Sequence, residues 1–229
     1  MYWSPAAGAH EVHGAIVGTY LAEGGHLRHG EPLTDESTTP DGVGRYNHFA
    51  FGSSIYWTPA TGAHQVGGDI RSLWSAMGWE RSAHGHPRSS ERSTPNGRGQ
   101  YNDFQNGGIY WLPGLGARSV HGSIYQTWAR FGWESGRLGF PLTDETGTPD
   151  GTGRFNHFEG GSVYWTPVTG AHQVEGAIRD RWAGLGWERS YLGYPTSDEY
   201  PVPGGRRSDF QGGSLTWEAA TGEVVEQRR

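Results

Sequence analysis

Hydrophobic and polar positions in this chain follow a pattern that repeats about every 54 residues. Trp3, Trp57, Trp111 and Trp165 are each 54 residues apart, and Trp217 follows after 52. A tyrosine usually precedes the tryptophan, and a proline usually lies two positions after it. A fixed period of this kind is the signature of a repeat architecture. The sequence therefore predicts one supersecondary unit that is used about four times.

One segment of each period has the spacing of an amphipathic helix. In the third period Ile124, Trp128 and Phe131 follow one another at i, i+4 and i+7, which places them on one helical face. The equivalent residues of the second and fourth periods are Ile70, Trp74 and Met77, and Ile178, Trp182 and Leu185. The glycines that follow these segments at once are Gly78, Gly132 and Gly186. Because glycine in that position favours a left-handed C-cap, we predict one helix of about ten residues in each unit.

Strands are predicted on both sides of short glycine turns. In the third period, residues 154–158 alternate in character, and Gly160-Gly161 leads into a second aromatic run at 162–165. Two short aromatic runs around a two-residue glycine turn are typical of a β-hairpin. Residues 117–120 are a further short strand. Each unit is therefore predicted to be a β-hairpin, a short strand and one helix, which makes the fold class α+β.

The tryptophan spacing divides the chain into four repeat units, the first of which begins in mid-repeat, and a C-terminal tail: 1–57, 58–111, 112–165, 166–217 and 218–229. Units of this size hold little core individually and must pack against their neighbours. We predict that the units stack into an elongated stalk. A closed propeller-like ring is the alternative, because the strand around Trp217 could pair near Trp3.

Composition limits the classes of function. The chain has 39 glycines, but its 11 tryptophans and 11 tyrosines exclude a disordered glycine-rich polymer, since disorder goes with few aromatic residues. A net charge of −6 argues against nucleic acid, whose phosphates need a clustered positive field. The sequence has no apolar run long enough to cross a bilayer. We therefore expect no nucleic acid partner and no membrane insertion.

The start of the chain, Met1-Tyr2-Trp3, lies in mid-repeat and lacks a charged segment followed by an apolar one. We therefore expect no signal peptide in this chain. We also expect either a fragment of a longer protein or a first unit that is completed elsewhere. The absence of cysteine fits both a reduced compartment and an exported bacterial protein, so it does not decide the location.

Four residues in each period carry a resemblance to a known family. Leu138-Gly139-Phe140-Pro141 is the motif of the LGFP repeat of actinobacterial cell-envelope proteins, and residues 192–195 differ from it by one conservative change. The equivalents at 29–32 and 84–87 keep only the glycine and the proline. Surrounding phrases such as Gly-Arg-(Tyr/Phe)-Asn-His-Phe and Gly-Trp-Glu extend the resemblance over essentially the whole chain.

The resemblance implies a non-catalytic, lectin-like domain that binds carbohydrate through several repeats. The family is found attached to mycolyltransferases and cell-wall hydrolases, and is thought to hold its host on the peptidoglycan–arabinogalactan polymer. A cell-wall polysaccharide of that type, or another glycan, is therefore the expected partner. The resemblance also implies an extracellular or cell-envelope location, and no cofactor.

Polar and aromatic residues that recur in the first and third units are the candidate ligand-binding residues. They are an acidic pair, an arginine, an asparagine, a histidine and a tyrosine in each unit: Asp35, Glu36, Arg45, Asn47, His48 and Tyr56, and Asp144, Glu145, Arg154, Asn156, His157 and Tyr164. Arginine and asparagine can donate to sugar hydroxyls or to an acidic substituent, and tyrosine can stack on a sugar ring. The alternative is that both faces of each hairpin are covered, one by core and one by the neighbouring unit.

The acidic pairs also invite a glycosidase interpretation. Asp35-Glu36, Asp144-Glu145 and Asp198-Glu199 each follow three residues after the motif proline. A glycosidase needs two carboxyl groups on opposite sides of one bond, which adjacent loop residues cannot easily provide. A catalytic pair would also not be copied three times. We expect a salt bridge to the recurrent arginine or a turn-capping hydrogen bond, with a share in a small polar pocket as the alternative, and no catalytic residue.

Eleven histidines raise the question of a metal. His10, His64 and His172 each lie seven residues after a tryptophan, but Arg118 takes that position in the third unit. The sequence has no dense histidine cluster, no H-E-x-x-H motif and no thiolate. We expect no metal site, and hydrogen bonds from these histidines to the backbone or to a ligand.

Three functions are therefore compared. The leading one is a cell-wall or glycan-binding repeat domain that anchors or targets a host protein. The alternative is a ligand-free spacer or stalk, and the third is a cell-wall hydrolase. A spacer should vary its exposed polar positions, but Asn47, Asn102 and Asn156 persist. Because Gln100 replaces the arginine in the second unit and Ser208-Asp209 interrupts the pattern in the fourth, this comparison favours sites in some units but not all. A structural hydrogen bond and a ligand contact both remain open as reasons for the asparagines.

The predicted stalk shape can be tested by small-angle scattering. A compact domain of this length has a radius of gyration of about 17 Å, and a stalk should lie clearly above it. A measured radius close to the compact value would contradict the stalk and favour the ring.

Overall fold

Each period of the sequence folds into one small antiparallel sheet followed by a helix. A computed structural model of the protein describes all of its residues, 1–229. The first sheet has two strands, β1 (Tyr2–Ser4) and β2 (Gly8–His10). The others have four strands each, paired in chain order as meanders. Their strands are β3 (Ser37–Thr38), β4 (Arg45–His48), β5 (Ser53–Thr58) and β6 (Gly62–Gly67), then β7 (Arg92–Ser93), β8 (Gln100–Phe104), β9 (Gly107–Leu112) and β10 (Gly116–His121), then β11 (Thr146–Gly147), β12 (Arg154–His157), β13 (Gly161–Thr166) and β14 (Gly170–Glu175), then β15 (Tyr200–Val202), β16 (Gly205–Phe210), β17 (Gly213–Glu218) and β18 (Val224–Arg228).

Four of the five helices begin directly after the last strand of a sheet or close to it, and the short second helix follows the first. They are α1 (Gly14–Ala22), α2 (Gly25–His29), α3 (Gly68–Ala76), α4 (Gly122–Arg130) and α5 (Gly176–Leu185). Short 3-10 turns follow three of them, at Trp79–Arg81, Trp133–Ser135 and Trp187–Arg189. The observed architecture is a tandem α+β repeat array, as the sequence predicts. The chain divides into two compact units, Met1–Ser119 and Val120–Arg229.

Two elements go beyond the predicted hairpin, short strand and helix. A strand of two or three residues lies before each hairpin, so that each complete sheet has four strands. Residues 218–229, predicted as a tail, contain β18, which pairs with β17 through Trp217↔Val224 and neighbouring residues. A two-residue strand has no periodicity of its own, and it is ordered only by pairing with the hairpin.

The core lies between consecutive sheets, and a helix fills the space. In the first compact unit, Ile70 and Trp74 of α3 pack with Tyr56 of one sheet and with Phe104 and Ile109 of the next. Trp74 is 0% exposed. In the second compact unit the equivalent cluster includes Tyr164, Val174, Ile178, Trp182, Phe210 and Leu215. The predicted Ile-Trp helical face is therefore confirmed, and α3 and α5 are each shared by two sheets.

The Leu-Gly-Phe-Pro motif joins the sheet to this core. Leu138 is fully buried. Gly139 has a φ of +67°, and a Cβ there would lie 2.9 Å from the Cβ of Glu159, so the position requires glycine. Pro141 forms an isolated bridge with Phe158, the last residue of the first hairpin run.

The third motif position contacts the turn of the preceding repeat. The His86 Nε2 lies 2.7 Å from an Asp41 carboxylate oxygen, and the Tyr194 hydroxyl donates to Asp150 at 2.6 Å. Gly153 stands so close to the Tyr194 ring that a Cβ would lie 2.7 Å from it. An aromatic or imidazole ring at this position therefore ties a repeat to the turn before it.

A left-handed tryptophan is the feature that the sequence pattern does not predict. Trp79, Trp133 and Trp187 have φ values of 58°, 50° and 58°, which non-glycine residues rarely adopt. The Trp79 ring packs edge-on against Trp74 at 5.2 Å, and the Arg71 guanidinium lies 5.1 Å from its centre. These contacts, which partly bury the Trp79 ring beside the helix, offset a backbone cost of about 1–3 kcal/mol.

Truncation of the buried tryptophan of α4 should cause a large loss of stability. Trp128 is fully buried and donates its indole N–H to the Gly139 carbonyl at 3.1 Å. Trp128→Ala should lower the free energy of unfolding by about 3–5 kcal/mol, because a large cavity is left. Chemical denaturation measures this. The half-buried Trp165 is the control, and Trp165→Ala should cost less; an unchanged transition for Trp128→Ala would contradict the assignment.

Candidate functional site

The recurrent asparagines hold consecutive repeats together. Asn47 is fully buried, and its side-chain amide donates to the carbonyls of Glu11 (3.1 Å) and Thr34 (2.8 Å). Asn102 repeats this arrangement one period later, donating to Gln65 (2.8 Å) and Ser89 (2.9 Å). Asn156, also buried, donates to Thr143 at 2.8 Å. These side chains are inside the protein, where their hydrogen bonds connect backbone segments.

In the first, second and fourth repeats, the first residue of the acidic pair or the serine that replaces it binds a backbone N–H of the preceding repeat. Asp35 accepts the N–H of Glu11 at 3.1 Å and lies 3.2 Å from the His10 ring nitrogen, and both contacts lower its pKa. Asp198 accepts the N–H of Gln173 at 3.1 Å. In the second repeat the Ser90 hydroxyl accepts the N–H of Gln65 at 3.0 Å. Asp144 is half-buried, and its carbonyl accepts the hydroxyl of Thr146 at 2.9 Å.

Together these contacts form what we call the backbone clamp. It consists of an asparagine and an aspartate or serine, which bind the C=O and the N–H of one residue in the preceding repeat. Its two complete examples in the first compact unit are Asn47 with Asp35 on Glu11, and Asn102 with Ser90 on Gln65. The clamp explains why asparagine recurs, and its role is structural.

The second acidic residue lies at the start of a helix. Glu145 has a side chain that is 5% exposed; it accepts the N–H of His121 at 3.3 Å and the Nε–H of Arg154 at 2.6 Å. Glu36 is similarly enclosed and lies 3.3 Å from the His13 ring. The helices have no side-chain N-cap of their own. A carboxylate near a helix N-terminus interacts favourably with the helix dipole, so both glutamates are favourably placed.

The predicted ion pair between the acidic residue and the arginine is present in the third repeat but not in the first. Arg154 binds Glu145, as described. Arg45 is exposed and donates to the Thr38 hydroxyl at 2.9 Å. Arg45 and Glu36 nevertheless line one cleft, which is described below.

His48 and His157 belong to buried polar clusters on the sheet. The His48 Nδ1 lies 2.6 Å from the Ser54 hydroxyl, which also accepts the Arg71 Nε–H at 2.5 Å. Burial, together with the positive charge of Arg71, lowers the pKa of His48 to about 4. A serine–histidine pair can be nucleophilic when a carboxylate orients the histidine. Here Ser54 is fully buried and the third group is a cation, so the cluster does not have the arrangement of a hydrolase.

Tyr56 and Tyr164 are part of the core. Each is 2% exposed. Tyr56 stacks on Tyr46 at 5.1 Å and meets Trp74 edge-on at 4.7 Å. Tyr164 makes the same contacts with Phe155 and Trp182. Neither ring has a face that a sugar could reach, so the covered-hairpin interpretation describes these two residues.

The open surface lies beside the tryptophans of the 54-residue period. We use the term helix-start cleft for the depression between a helix N-terminus, the second acidic residue and this tryptophan. The first helix-start cleft has a volume of about 180 Å³. Its lining residues are Gly14, Ala15, Ile16, Glu36, Arg45 and Trp57.

The second helix-start cleft is larger, about 680 Å³. Its lining residues are Arg28, Gly67, Gly68, Asp69, Ile70, Glu91, Ser93, Gln100 and Trp111. The half-buried Trp111 donates its indole N–H to the Asp69 carboxylate at 2.8 Å. The sequence pattern did not indicate this cleft, because the second unit lacks the arginine and the acidic pair used to select candidates. The tryptophan that defines the period was the available signal.

The three histidines that follow a period tryptophan by seven residues make local hydrogen bonds to the backbone, one of the two partners expected from the sequence. The Nε2 atoms of His10, His64 and His172 lie 3.0, 2.6 and 2.8 Å from backbone carbonyls three residues earlier. No group of three or more His, Asp or Glu side chains is arranged to hold a metal ion. None of the helices combines the length and the hydrophobicity needed to span a bilayer.

The depressed pKa of the buried histidines predicts loss of stability in acid. The pKa of His48 and of His157 is about 4 in the folded protein, against 6.5 for an unperturbed histidine. The unfolded chain therefore takes up protons first, and stability present above pH 6.5 should fall as the pH falls from 6.5 to 4. The double variant His48→Gln, His157→Gln should reduce the dependence of the urea midpoint on pH between 6.5 and 4. His26→Gln, at an exposed position, should leave that dependence unchanged. An unchanged slope in the double variant would contradict this role.

Comparison with known families gives one result. The family model of the LGFP repeat matches residues 1–26, 30–82, 85–136, 138–190 and 192–227. These are five tandem segments, of which the first covers the partial repeat around β1, β2 and α1. A separate search of curated proteins gives no match. The family is a repeat-domain family and not a catalytic one. Since the matched segments cover nearly the whole length, the chain belongs to the LGFP repeat family.

Proposed function

We propose that this chain is a non-catalytic binding module that attaches a host protein to the glycan of a bacterial cell wall. The recurrence of the helix-start cleft carries the proposal. In two successive repeats the cleft has a half-buried tryptophan, Trp57 or Trp111, beside an enclosed glutamate and a helix start. An amphipathic ring with a few fixed polar groups is the usual composition of a small-molecule site.

Repetition favours a polymeric ligand. A single shallow cleft with one aromatic wall binds weakly. Several clefts on one chain convert later binding events into intramolecular ones, and avidity can then exceed a single affinity by about 10²–10⁴. A wall polysaccharide offers the matching repetition. This argument supports an extracellular or envelope location for the protein.

A ligand-free spacer is the second candidate, favoured by the backbone clamp. Asn47 and Asn102 recur for structural reasons, so their persistence no longer argues for ligand contact. A spacer would keep the clamps and the core and have no use for the clefts. The two functions therefore differ in the effect of substitutions at Trp57 and Trp111.

Sedimentation with insoluble cell wall separates these functions. Trp57→Ala combined with Trp111→Ala should weaken binding about tenfold, because both removed rings are cleft walls. Phe51→Ala is the matched control, since Phe51 is an exposed aromatic residue outside both clefts, and it should bind as the wild type does. Circular dichroism confirms that each variant is folded. Undiminished binding by the folded double variant would remove the clefts from the site.

A second pair of substitutions tests the arginines. Arg45 lines the first cleft, and Arg154 binds Glu145. If they donate to the glycan, Arg45→Gln with Arg154→Gln weakens sedimentation. A folded double variant that still binds fully would return both arginines to the scaffold.

A further inference from the structure

The second and fourth repeats differ in charge at the helix-start cleft. In the fourth repeat two ion pairs lie there. The Arg137 Nε–H donates to Glu175 at 2.7 Å, and the Arg206 Nε–H donates to Glu199. The pKa of Glu175 is raised by burial and responds to Arg137, Glu199 and Arg206, so the four charges form one group.

The equivalent positions of the second repeat are fixed by the fold. Arg28 and Arg137 each directly precede the four-residue motif, and Glu91 and Glu199 each follow the motif proline by four residues. Gly67 and Glu175 are each the last residue before a helix, α3 or α5. Gln100 pairs with Trp111 in the sheet as Arg206 pairs with Trp217.

Comparison of these positions reveals two complementary replacements. Gly67 takes the position of Glu175, the carboxylate that binds Arg137 in the fourth repeat. Gln100 takes the position of Arg206, the cation that binds Glu199 there. Arg28 and Glu91 remain. Each has lost the oppositely charged side chain that its counterpart binds in the fourth repeat, and both line the cleft of about 680 Å³.

The two remaining charges are weakly compensated. Arg28 is exposed and forms no ion pair, although its charge acts on Glu91. Burial raises the pKa of Glu91, and only Arg28 and the N–H of Gly67 oppose that effect. A carboxylate in this position is stabilised by a cation that enters the cleft.

The backbone conformation at position 67 does not require glycine. Its φ of −134° and ψ of 176° are open to any residue. A Cβ would meet only the end of the flexible Gln65 side chain, at 2.5 Å, and Glu91 at 3.4 Å. In the fourth repeat Gln173 and Glu175 occupy these two positions together. The effect of glycine at this position is to leave the cleft open. In the first and third repeats the equivalent residues are His13 and His121, and each contacts the local glutamate.

We propose that the second helix-start cleft binds a zwitterionic group, with a carboxylate on Arg28 and an ammonium on Glu91. The ligand then supplies the two charges that Glu175 and Arg206 supply in the fourth repeat. Trp111 provides an apolar wall, and its N–H is already bound to Asp69. The chemistry is that of an amino-acid group with free amino and carboxyl functions, either in solution or on a peptide attached to the wall. The inference rests on the proposed function for the second of these sources.

Chemical-shift perturbation of the Trp111 indole and the Gly68 amide tests the site in the full chain. The probes are alanine, which is zwitterionic, alaninamide, which is only cationic, N-acetylalanine, which is only anionic, and a neutral pentose. Alanine should bind at least about tenfold more tightly than either singly charged analogue, because each lacks one charged contact. Equal response to all probes, no response to alanine, or a response to the pentose alone would overturn the proposal.

The fourth repeat supplies the design of the variants. Gly67→Glu with Gln100→Arg restores both internal ion pairs and should abolish the alanine response while the protein stays folded. The reciprocal change, Glu175→Gly with Arg206→Gln, should create a response at the Trp217 indole. Arg137→Gln is the control and should leave the response at Trp111 unchanged. Persistence of the alanine response in the closed-cleft variant would overturn the assignment even if the reciprocal variant does not fold.

Sedimentation with cell wall distinguishes failure of the proposed wall-binding function from failure of the zwitterion site. A wild-type protein that responds to alanine but does not sediment with wall has the zwitterion site, and its ligand is a free amino acid. A protein that sediments but does not respond to alanine keeps the proposed function and loses this inference. If the wall peptide is the ligand, the closed-cleft variant should sediment less than the wild type, and excess alanine should compete for the difference.

Discussion

The structure depends on burial of one helix between two successive sheets. Trp74 and Ile70 contact residues of the sheet before the helix and of the sheet after it, so neither sheet has a complete core without the other. A period of about 54 residues cannot provide this core alone. The 54-residue repeat is therefore not the unit that forms a core. The core forms at the junction between two repeats. The motif glycine and proline, the left-handed tryptophan and the backbone clamp all lie around that junction.

This arrangement separates residues that hold the junction from residues that line the helix-start clefts. Asn47, Tyr56 and His48 recur because they connect or fill the junction, and they are buried or bonded within the protein. The helix-start clefts lie where repeats differ, at positions such as Gly67 and Gln100. In the clefts the period tryptophan is constant, and the variable positions around it give individual repeats distinct chemistry.

Much of the fold could be predicted from the sequence, because its signals are local. The spacing of Ile124 and Trp128 predicts the helix, and Gly132 predicts its end, with an observed φ of +86°. The left-handed Trp79 could not be predicted, since its backbone strain is offset by tertiary ring contacts with Tyr56 and Trp74. For the site, the sequence selected Glu36 and Arg45, which line a cleft, together with buried Asn47 and Tyr56. Sequence spacing does not indicate which face of a strand the next repeat covers.

The backbone clamp has a consequence for how such arrays change length. The clamping side chains come from one repeat, but what they bind in the other is a main-chain N–H and C=O, on Glu11 in one case and Gln65 in another. A junction that is recognised through the main chain does not depend on the identity of the side chain it holds. A duplicated or transplanted repeat therefore meets a compatible neighbour at once, without a matching substitution in that neighbour. Gene duplication can lengthen the array while each copy remains free to diverge at its own surface.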